Sequence, residues 1–240
     1  MRITVLTLFT DQFNDFLETS IIKRILEKGL AEVRVADIRD YSFDKHRHVD
    51  DTPYGGGAGM LMRVDVVARA IEENKREDTY VLLTSPKARP YTQNDAYRLL
   101  EKEDLMIVCG HYEGIDARID DYIDENISIG DYILTGGELA AMVVMDSIMR
   151  LIDEGISPDS LKEESFNNGL LEYPQYTRPV VYEGKEVPFV LTNGNHEEIR
   201  KYNLKMSLKD TYLYRRDLLD KKELNEEEEK LLKEVIDELE

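Results

Sequence analysis

The stretch Pro53-Tyr54-Gly55-Gly56-Gly57-Ala58-Gly59-Met60 places four glycines in five positions. Backbone amides bare of side chains can approach an anionic or planar ligand closely, although a flexible connection would have the same composition. No Gly-Lys-Ser/Thr follows, so the loop is not a Walker loop and nucleoside triphosphate hydrolysis has no support. Three other segments combine glycines with polar groups: Thr84-Ser85-Pro86-Lys87-Ala88-Arg89, Cys109-Gly110-His111-Tyr112-Glu113-Gly114-Ile115-Asp116, and Ser128-Ile129-Gly130-Asp131-Tyr132-Ile133-Leu134-Thr135-Gly136-Gly137-Glu138-Leu139. Each glycine could serve only a turn, but convergence of the three without a Gly-x-Gly-x-x-Gly fingerprint would favour a small nucleoside-like ligand held by backbone groups over a purely structural role. Glu113 and Glu164 are loop carboxylates, suited either to proton transfer or to an ordinary solvated surface. Arg150, on an otherwise apolar helix, must snorkel, pair with Asp146 at i−4, or face a site. His46 and His48 stand near Asp50 and Asp51, but with no cysteine near and no third histidine a structural or RNA-contacting role outweighs metal binding, and no metal ligands are assigned.

The elements that position these groups follow from hydrophobic period. Short apolar runs near 2–9, 31–38, 79–84, 105–109 and 127–134 read as strands, and amphipathic stretches near 18–28, 61–74, 93–103 and 115–124 as helices. Strict alternation of the two implies an α/β fold with a mainly parallel sheet, whose carboxyl edge would carry the three loops. From Gly136 a long helix follows, apolar nearly all round except for a stripe of Glu138, Asp146, Arg150 and Asp153, and hence mostly buried. The pattern breaks at Gly155-Ile156-Ser157-Pro158. This divides the chain into a ligand-binding catalytic domain over 1–155, a polar linker over 156–171 and a C-terminal domain over 172–240. The last begins with a hairpin, Val180-Val181-Tyr182 and Val187-Pro188-Phe189-Val190 flanking Glu183-Gly184-Lys185, and continues in helices from about His196.

Composition bounds the partners. The chain has 240 residues, 34% charged, with 31 Lys plus Arg against 50 Asp plus Glu and a net charge of −19, so nucleic acid cannot be held by overall positive charge. Any RNA would have to meet a local patch, and 196–216 is the best footprint for one, with six Lys or Arg against three acids. The stretch 217–240 is the opposite, with eleven acids and four bases. A single cysteine, Cys109, precludes an internal disulfide and a multi-cysteine zinc site. With no run near the ~18 apolar residues of a membrane span and a strand pattern rather than a leader at Arg2–Phe9, a cytoplasmic address without membrane attachment is expected.

Taken in order, Tyr54-Gly55-Gly56-Gly57, Thr84-Ser85-Pro86, Tyr112-Glu113-Gly114-Ile115-Asp116, Ser128-Ile129-Gly130-Asp131-Tyr132, Thr135-Gly136-Gly137-Glu138, Glu164-Ser165-Phe166, Gly169-Leu170-Leu171, Tyr176-Thr177-Arg178-Pro179 and Gly194-Asn195-His196 resemble the bacterial tRNA (guanine-N1)-methyltransferase family. Each string alone is weak; their order and spacing over nearly the whole chain are specific. The family is part of the SPOUT methyltransferases. The resemblance therefore implies a deep trefoil-knotted parallel sheet with helices on both faces, a small mainly α-helical C-terminal domain that binds tRNA, and a homodimer with active sites at the subunit interface. Topology rules alone would have drawn an unknotted doubly wound sheet.

The implied reaction is methyl transfer from S-adenosylmethionine to N1 of the guanine 3′ of the tRNA anticodon, position 37. That nitrogen carries a proton, so a carboxylate must remove it, and charge moving onto O6 calls for a cation or magnesium ion. By position, Glu164 is the implied base, contributed from the opposite subunit's linker; Arg150 is implied for O6, and Glu113 for the sulfonium end or the target base. The resemblance places the cofactor on Thr84, Ser85, Pro86, Gly110, Tyr112, Glu113, Gly114, Ile129, Gly130, Asp131, Tyr132, Ile133, Leu134, Gly136 and Gly137, and the substrate on Asp50, Tyr54, Ser165 and His196. Glu164 stands where the family commonly has Asp, one methylene shorter, and His111 where Arg is common. The alternatives are a SPOUT enzyme acting on another RNA site and a non-catalytic RNA-binding relative; the carboxylates and Arg150 weigh against the latter.

Overall fold

The computed structural model describes residues 1–153 and 164–239. The expected linker over 156–171 thus falls partly outside the described residues. The chain divides into two compact units, Met1–Ser157 and Pro158–Glu240.

In the first unit, strands β1 (Arg2–Thr7), β2 (Glu32–Asp37), β3 (Tyr80–Thr84), β4 (Asp104–Val108) and β5 (Glu125–Ile127) form one sheet in the order β2-β1-β4-β3-β5. Every pairing is parallel, with Val5 opposite both Val35 and Ile107. The central strands are apolar without alternation, as a sheet covered on both faces requires: all five residues of β4 are buried. Its helices are α1 (Ser20–Glu27), α2 (Val64–Asn74), α3 (Gln93–Leu100) and α4 (Glu138–Met149). Val66, Val67, Ala70 and Ile71 of α2 pack with Leu6, Val81, Leu83, Met106 and Val108 on one face. The alternate strand residues Val5, Leu82, Leu105 and Ile107 are equally buried, and α4, in contact with α1 and α3, belongs to that opposite side.

Helix α3 begins where the Asp95 carboxylate accepts hydrogen bonds from the Thr92 N–H (2.9 Å) and hydroxyl (2.8 Å), capping free backbone donors. The same carboxylate takes two bonds from Arg89, at 2.8 and 2.6 Å, and one from Arg98 at 3.2 Å. This fixes the segment that leads from β3 into α3.

Four sequence expectations are corrected in detail. The strand expected near 127–134 is only Glu125–Ile127, because its partner β3 ends at Thr84 and Pro86 has no N–H to continue the ladder. The helix expected over 115–124 is a 3-10 turn, Ala117–Tyr122, opened by the Asp116 side chain accepting from the Arg118 N–H. Leu61–Met62 pairs antiparallel with Asp50–Asp51 instead of starting α2. Glu138, expected on the polar stripe of α4, is 3% exposed and accepts a hydrogen bond from the Thr7 hydroxyl at 2.8 Å; Leu139 and Val143 are the exposed ones, at 55% and 48%.

The second unit contains a two-residue hairpin, Val181–Tyr182 with Lys185–Glu186. Its turn residues Glu183 and Gly184 both have positive φ, the combination that matches strand twist. The second strand is thus earlier than expected, since Pro188 cannot donate to a ladder and Phe189–Leu191 is a 3-10 turn. Helices α5 (His196–Tyr214) and α6 (Glu226–Leu239) pack on each other. Asn195 caps α5, accepting from the Glu197 and Glu198 amides.

Candidate cofactor cleft and catalytic residues

Strands β4, β3 and β5 are neighbours, so the loops leaving their carboxyl ends are neighbours too, and they enclose a cleft of about 430 Å³. That volume lies within the usual range for small-molecule sites. Thr84, Ser85 and Pro86 supply one wall, Gly110 to Gly114 the second, and Ile127 to Gly130 with Tyr132 to Gly137 the third. The walls are tied together by backbone: Ser85 N–H donates to Ile127 C=O at 2.9 Å and Gly137 N–H to Gly110 C=O at 2.9 Å.

Gly137 shows how tightly they close. A Cβ there would run into the Thr84 hydroxyl and stand 2.9 Å from Cys109 Cα and 3.1 Å from the Gly110 amide nitrogen. Burial pushes the Cys109 thiol well up, and the carboxylate of Glu138 adds to the shift, so it sits behind this wall as a neutral group. Tyr112 takes a left-handed conformation (φ 59°), so the Gly110–Gly114 loop makes a sharp reversal over the sheet edge. The glycine-rich loop is brought to the same place: Glu113 N–H donates to Met60 C=O (3.0 Å), and the Glu113 side chain lies against Gly59.

All but one of the expected cofactor-contacting residues line this cleft; Asp131 is exposed and does not. Tyr54 is fully exposed and Asp50 sits in the short ladder opposite Met62, neither of them in the lining. Arg150 caps the C-terminus of α4 in the first unit, whereas Glu164, Ser165 and His196 belong to the second. Five lining residues were not among the expected ones: His111, Ile127, Ser128, Thr135 and Ala140. Four of them lie within or beside the glycine-bearing strings, which was the available signal; Ala140 is indistinguishable in sequence from any helix core residue. His111 is wedged between aromatic rings, 4.9 Å from Phe9 and 5.2 Å from Tyr112 by centroid. His46 and His48 belong to a loop ordered by Asp44, whose carboxylate accepts from the His46 N–H and contacts the His48 ring, and these bonds hold it below its ordinary value. Among the described residues there is no group of three or more His, Cys, Asp or Glu placed to hold a metal ion, and no helix long and apolar enough to cross a membrane.

The cleft suits S-adenosylmethionine. Gly110, Gly136 and Gly137 present backbone to the cleft, Ile127, Ile129, Leu134 and Ala140 supply apolar lining, and the Glu113 carboxylate offers a counter-charge.

Fold and cleft together define an α/β protein with a small-molecule-sized cleft at the carboxyl edge of a parallel sheet. Residues 1–221 match the model of the tRNA (guanine-1)-methyltransferase TrmD family, and the chain belongs to that family. It is 52% identical to the tRNA (guanine-N(1)-)-methyltransferase of Syntrophomonas wolfei over 98% of this chain and 97% of that one. The protein of the same name from Dictyoglomus turgidum is 47% identical over 100% and 98%, and that from Clostridium botulinum strain Hall 51% over 97% and 98%.

Proposed function

We propose that this chain transfers a methyl group from S-adenosylmethionine to N1 of guanine 37 in tRNA, the base 3′ of the anticodon. The observation that carries the reading is the convergence of three loops on a single glycine-walled cleft in a chain whose family and relatives bear the name of that reaction. Bound there, S-adenosylmethionine supplies an electrophilic methyl carbon, its C–S bond breaking as the methyl leaves.

The chain's own residues do the rest. The Glu164 carboxylate takes the N1 proton, so that the ring nitrogen presents a lone pair, and Arg150 stabilises the charge that shifts to O6; a magnesium ion, were one bound, would supply further charge neutralisation. Glu113, held by the Met60 carbonyl and against Gly59, faces the cationic end of the cofactor. Asp50, Tyr54, Ser165 and His196 contact the RNA, and Asp131 guards the cleft's rim. Knotting of the chain through its 84–137 loops, a homodimer that brings Glu164 of one subunit to the cleft of the other, and a linker ordered by tRNA complete the reading. The exposed Leu139 and Val143 of α4 fit a subunit contact.

The test mixes the protein with S-adenosylmethionine and an unmodified tRNA transcript bearing guanine at position 37, with an adenine transcript as control, and identifies nucleosides by mass spectrometry. 1-Methylguanosine appearing only with guanine is expected. Glu164→Gln keeps cofactor binding and loses transfer; retained turnover in that variant would show that another base acts.

A further inference from the structure

Glu164 opens a tight turn. Asn167 N–H donates to Glu164 C=O at 3.3 Å, Phe166 N–H to Leu170 C=O at 2.8 Å and Gly169 N–H to Phe166 C=O at 3.3 Å. The turn is fastened to its own unit along one side. Leu170 is fully buried, Leu171 N–H donates to the Thr211 hydroxyl of α5 at 2.9 Å, and Glu172 N–H to the Ser165 hydroxyl at 2.9 Å.

A further fastening comes from the acidic stretch 217–240. The Lys222 ammonium donates to the Asn168 carbonyl at 2.8 Å, and its aliphatic stem lies on Gly169, 3.4 Å from where a Cβ would be. Lys222 is itself held by Glu228, at 3.3 Å, with both side chains largely shielded from solvent. Glu228 is in turn fixed by reciprocal bonds with Asn225, each 3.0 Å, that start α6. A lysine used only to pair an exposed acid would be worth little. This one spans from the first turn of α6 to a backbone carbonyl four residues past Glu164, and both it and Glu228 lie beyond the 1–221 segment that the family model matches.

We propose that Lys222, oriented by Glu228, is a positioning residue for methyl transfer: it fixes the Asn168 turn and so the reach and orientation of the Glu164 carboxylate. The inference rests on Glu164 being the base. A carboxylate that takes a proton from a ring nitrogen needs its backbone set at a defined distance, and the Lys222 tether sets it. Proton transfer tolerates little displacement, so release of the tether slows chemistry without weakening either substrate's binding.

The experiment compares Lys222→Met, Lys222→Arg and Glu228→Gln in the full chain, each also combined with Glu164→Gln, by steady-state methylation of a tRNA transcript, calorimetric binding of S-adenosylmethionine and thermal unfolding. Lys222→Met lowers kcat on the order of tenfold or more, with both KM values and cofactor affinity within about twofold. Lys222→Arg, which still donates to a carbonyl and pairs a carboxylate, restores most of the rate. In the Glu164→Gln background Lys222→Met has no further effect on the residual rate, as expected of a group that acts through Glu164. A purely structural lysine would lower the unfolding temperature and active fraction and leave the rate per folded molecule unchanged. Should Lys222→Met fail to fold, Glu228→Gln, which keeps the ammonium, takes its place with a smaller loss of the same kind. Unchanged kcat alongside an inactive Glu164→Gln overturns the tether and leaves the base standing; an active Glu164→Gln overturns the base and the tether with it.

Discussion

Alanine at Gly137 tests whether the cleft is as closed as its geometry states. The φ of −83° is ordinary for any residue, so the substitution introduces no backbone strain and acts through space alone. The new methyl carbon meets the Thr84 hydroxyl, Cys109 Cα at 2.9 Å and the Gly110 nitrogen at 3.1 Å. Thr84 can move; the two backbone atoms directly follow β4, and Cys109 N–H still donates to Leu6 C=O of β1, so they cannot move without disturbing the sheet. Overpacking of this kind costs about 1–3 kcal/mol, and displacement of Gly137 also strains its 2.9 Å bond to the Gly110 carbonyl, worth about 1 kcal/mol. If roughly half of this falls on the ligand-holding arrangement of the two loops, S-adenosylmethionine binding weakens on the order of tenfold. Calorimetric titration and thermal unfolding measure the two shares. Adding Thr84→Ala relieves only the side-chain part, so the double variant recovers affinity incompletely. As a control, Gly184→Ala in the hairpin, where φ is +77° and no atom lies within 4 Å of the new methyl, loses about 1 kcal/mol of stability without touching cofactor affinity. Binding by Gly137→Ala within about twofold of the parent would refute the closed wall.

Asp95 lends stability with a defined pH window. Bonds from Arg89, then from Thr92 and Arg98, hold its carboxyl far below the usual range, so its contribution is complete above the unfolded value near pH 4 and fades as pH falls further. Asp95→Asn costs roughly 2 kcal/mol at neutral pH and flattens the acid limb of a stability–pH profile; a parallel, merely displaced profile counts against it. Lysines at Leu139 and Val143 together leave the unit folded, because both side chains are exposed, but abolish self-association in analytical ultracentrifugation and methylation with it; an active monomer sinks the interface reading. Lys205 is paired with Glu234 (3.3 Å) and Glu238 (2.7 Å), so Glu234→Gln with Glu238→Gln frees it, and the slope of log affinity for tRNA against log salt steepens by about one unit. An unchanged slope means that Lys205 faces no phosphate.

What the sequence made legible depended on which physical signal each element carries. β1 and β4 announced themselves because a strand buried on both faces needs a largely apolar run, and Ile3 to Leu6, broken only by the buried Thr4, and Leu105 to Val108 have one. β5 was misjudged because Ile127, Ile129, Tyr132, Ile133 and Leu134 give 127–134 a strand-like apolar content, yet past the buried Ile127 these side chains line the cleft and the surface, with Ile133 82% exposed. Apolarity reports exclusion from water, and a local pattern cannot say what does the excluding. Glu138 failed for the converse reason. A carboxylate at helical spacing with Asp146 and Arg150 looks solvated, and only the fold shows Thr7, 131 residues away, reaching it.

The charged C-terminal stretch carries the same lesson further. Counted by composition, residues 196–216 are a cationic footprint, but charge is shared in space rather than along the chain. Arg200 pairs with Glu197 and Glu227, Lys201 with Glu197, Lys205 with Glu234 and Glu238, and Arg215 with Asp217. Only Lys209 and Arg216 of that stretch stand outside ion pairs among the described residues, Arg216 lying over the Tyr212 ring. The acidic run at Glu226–Glu229 therefore does two things at once: it favours the N-terminus of α6 and, through Glu227, helps cancel the positive field of α5 on which a loose hold on phosphates would depend. An RNA-modifying chain of net charge −19 built this way gains little from nonspecific attraction. Its selectivity must then come from ordered contacts, and a tether of the kind proposed for Lys222 would weigh more here than another cation on the surface.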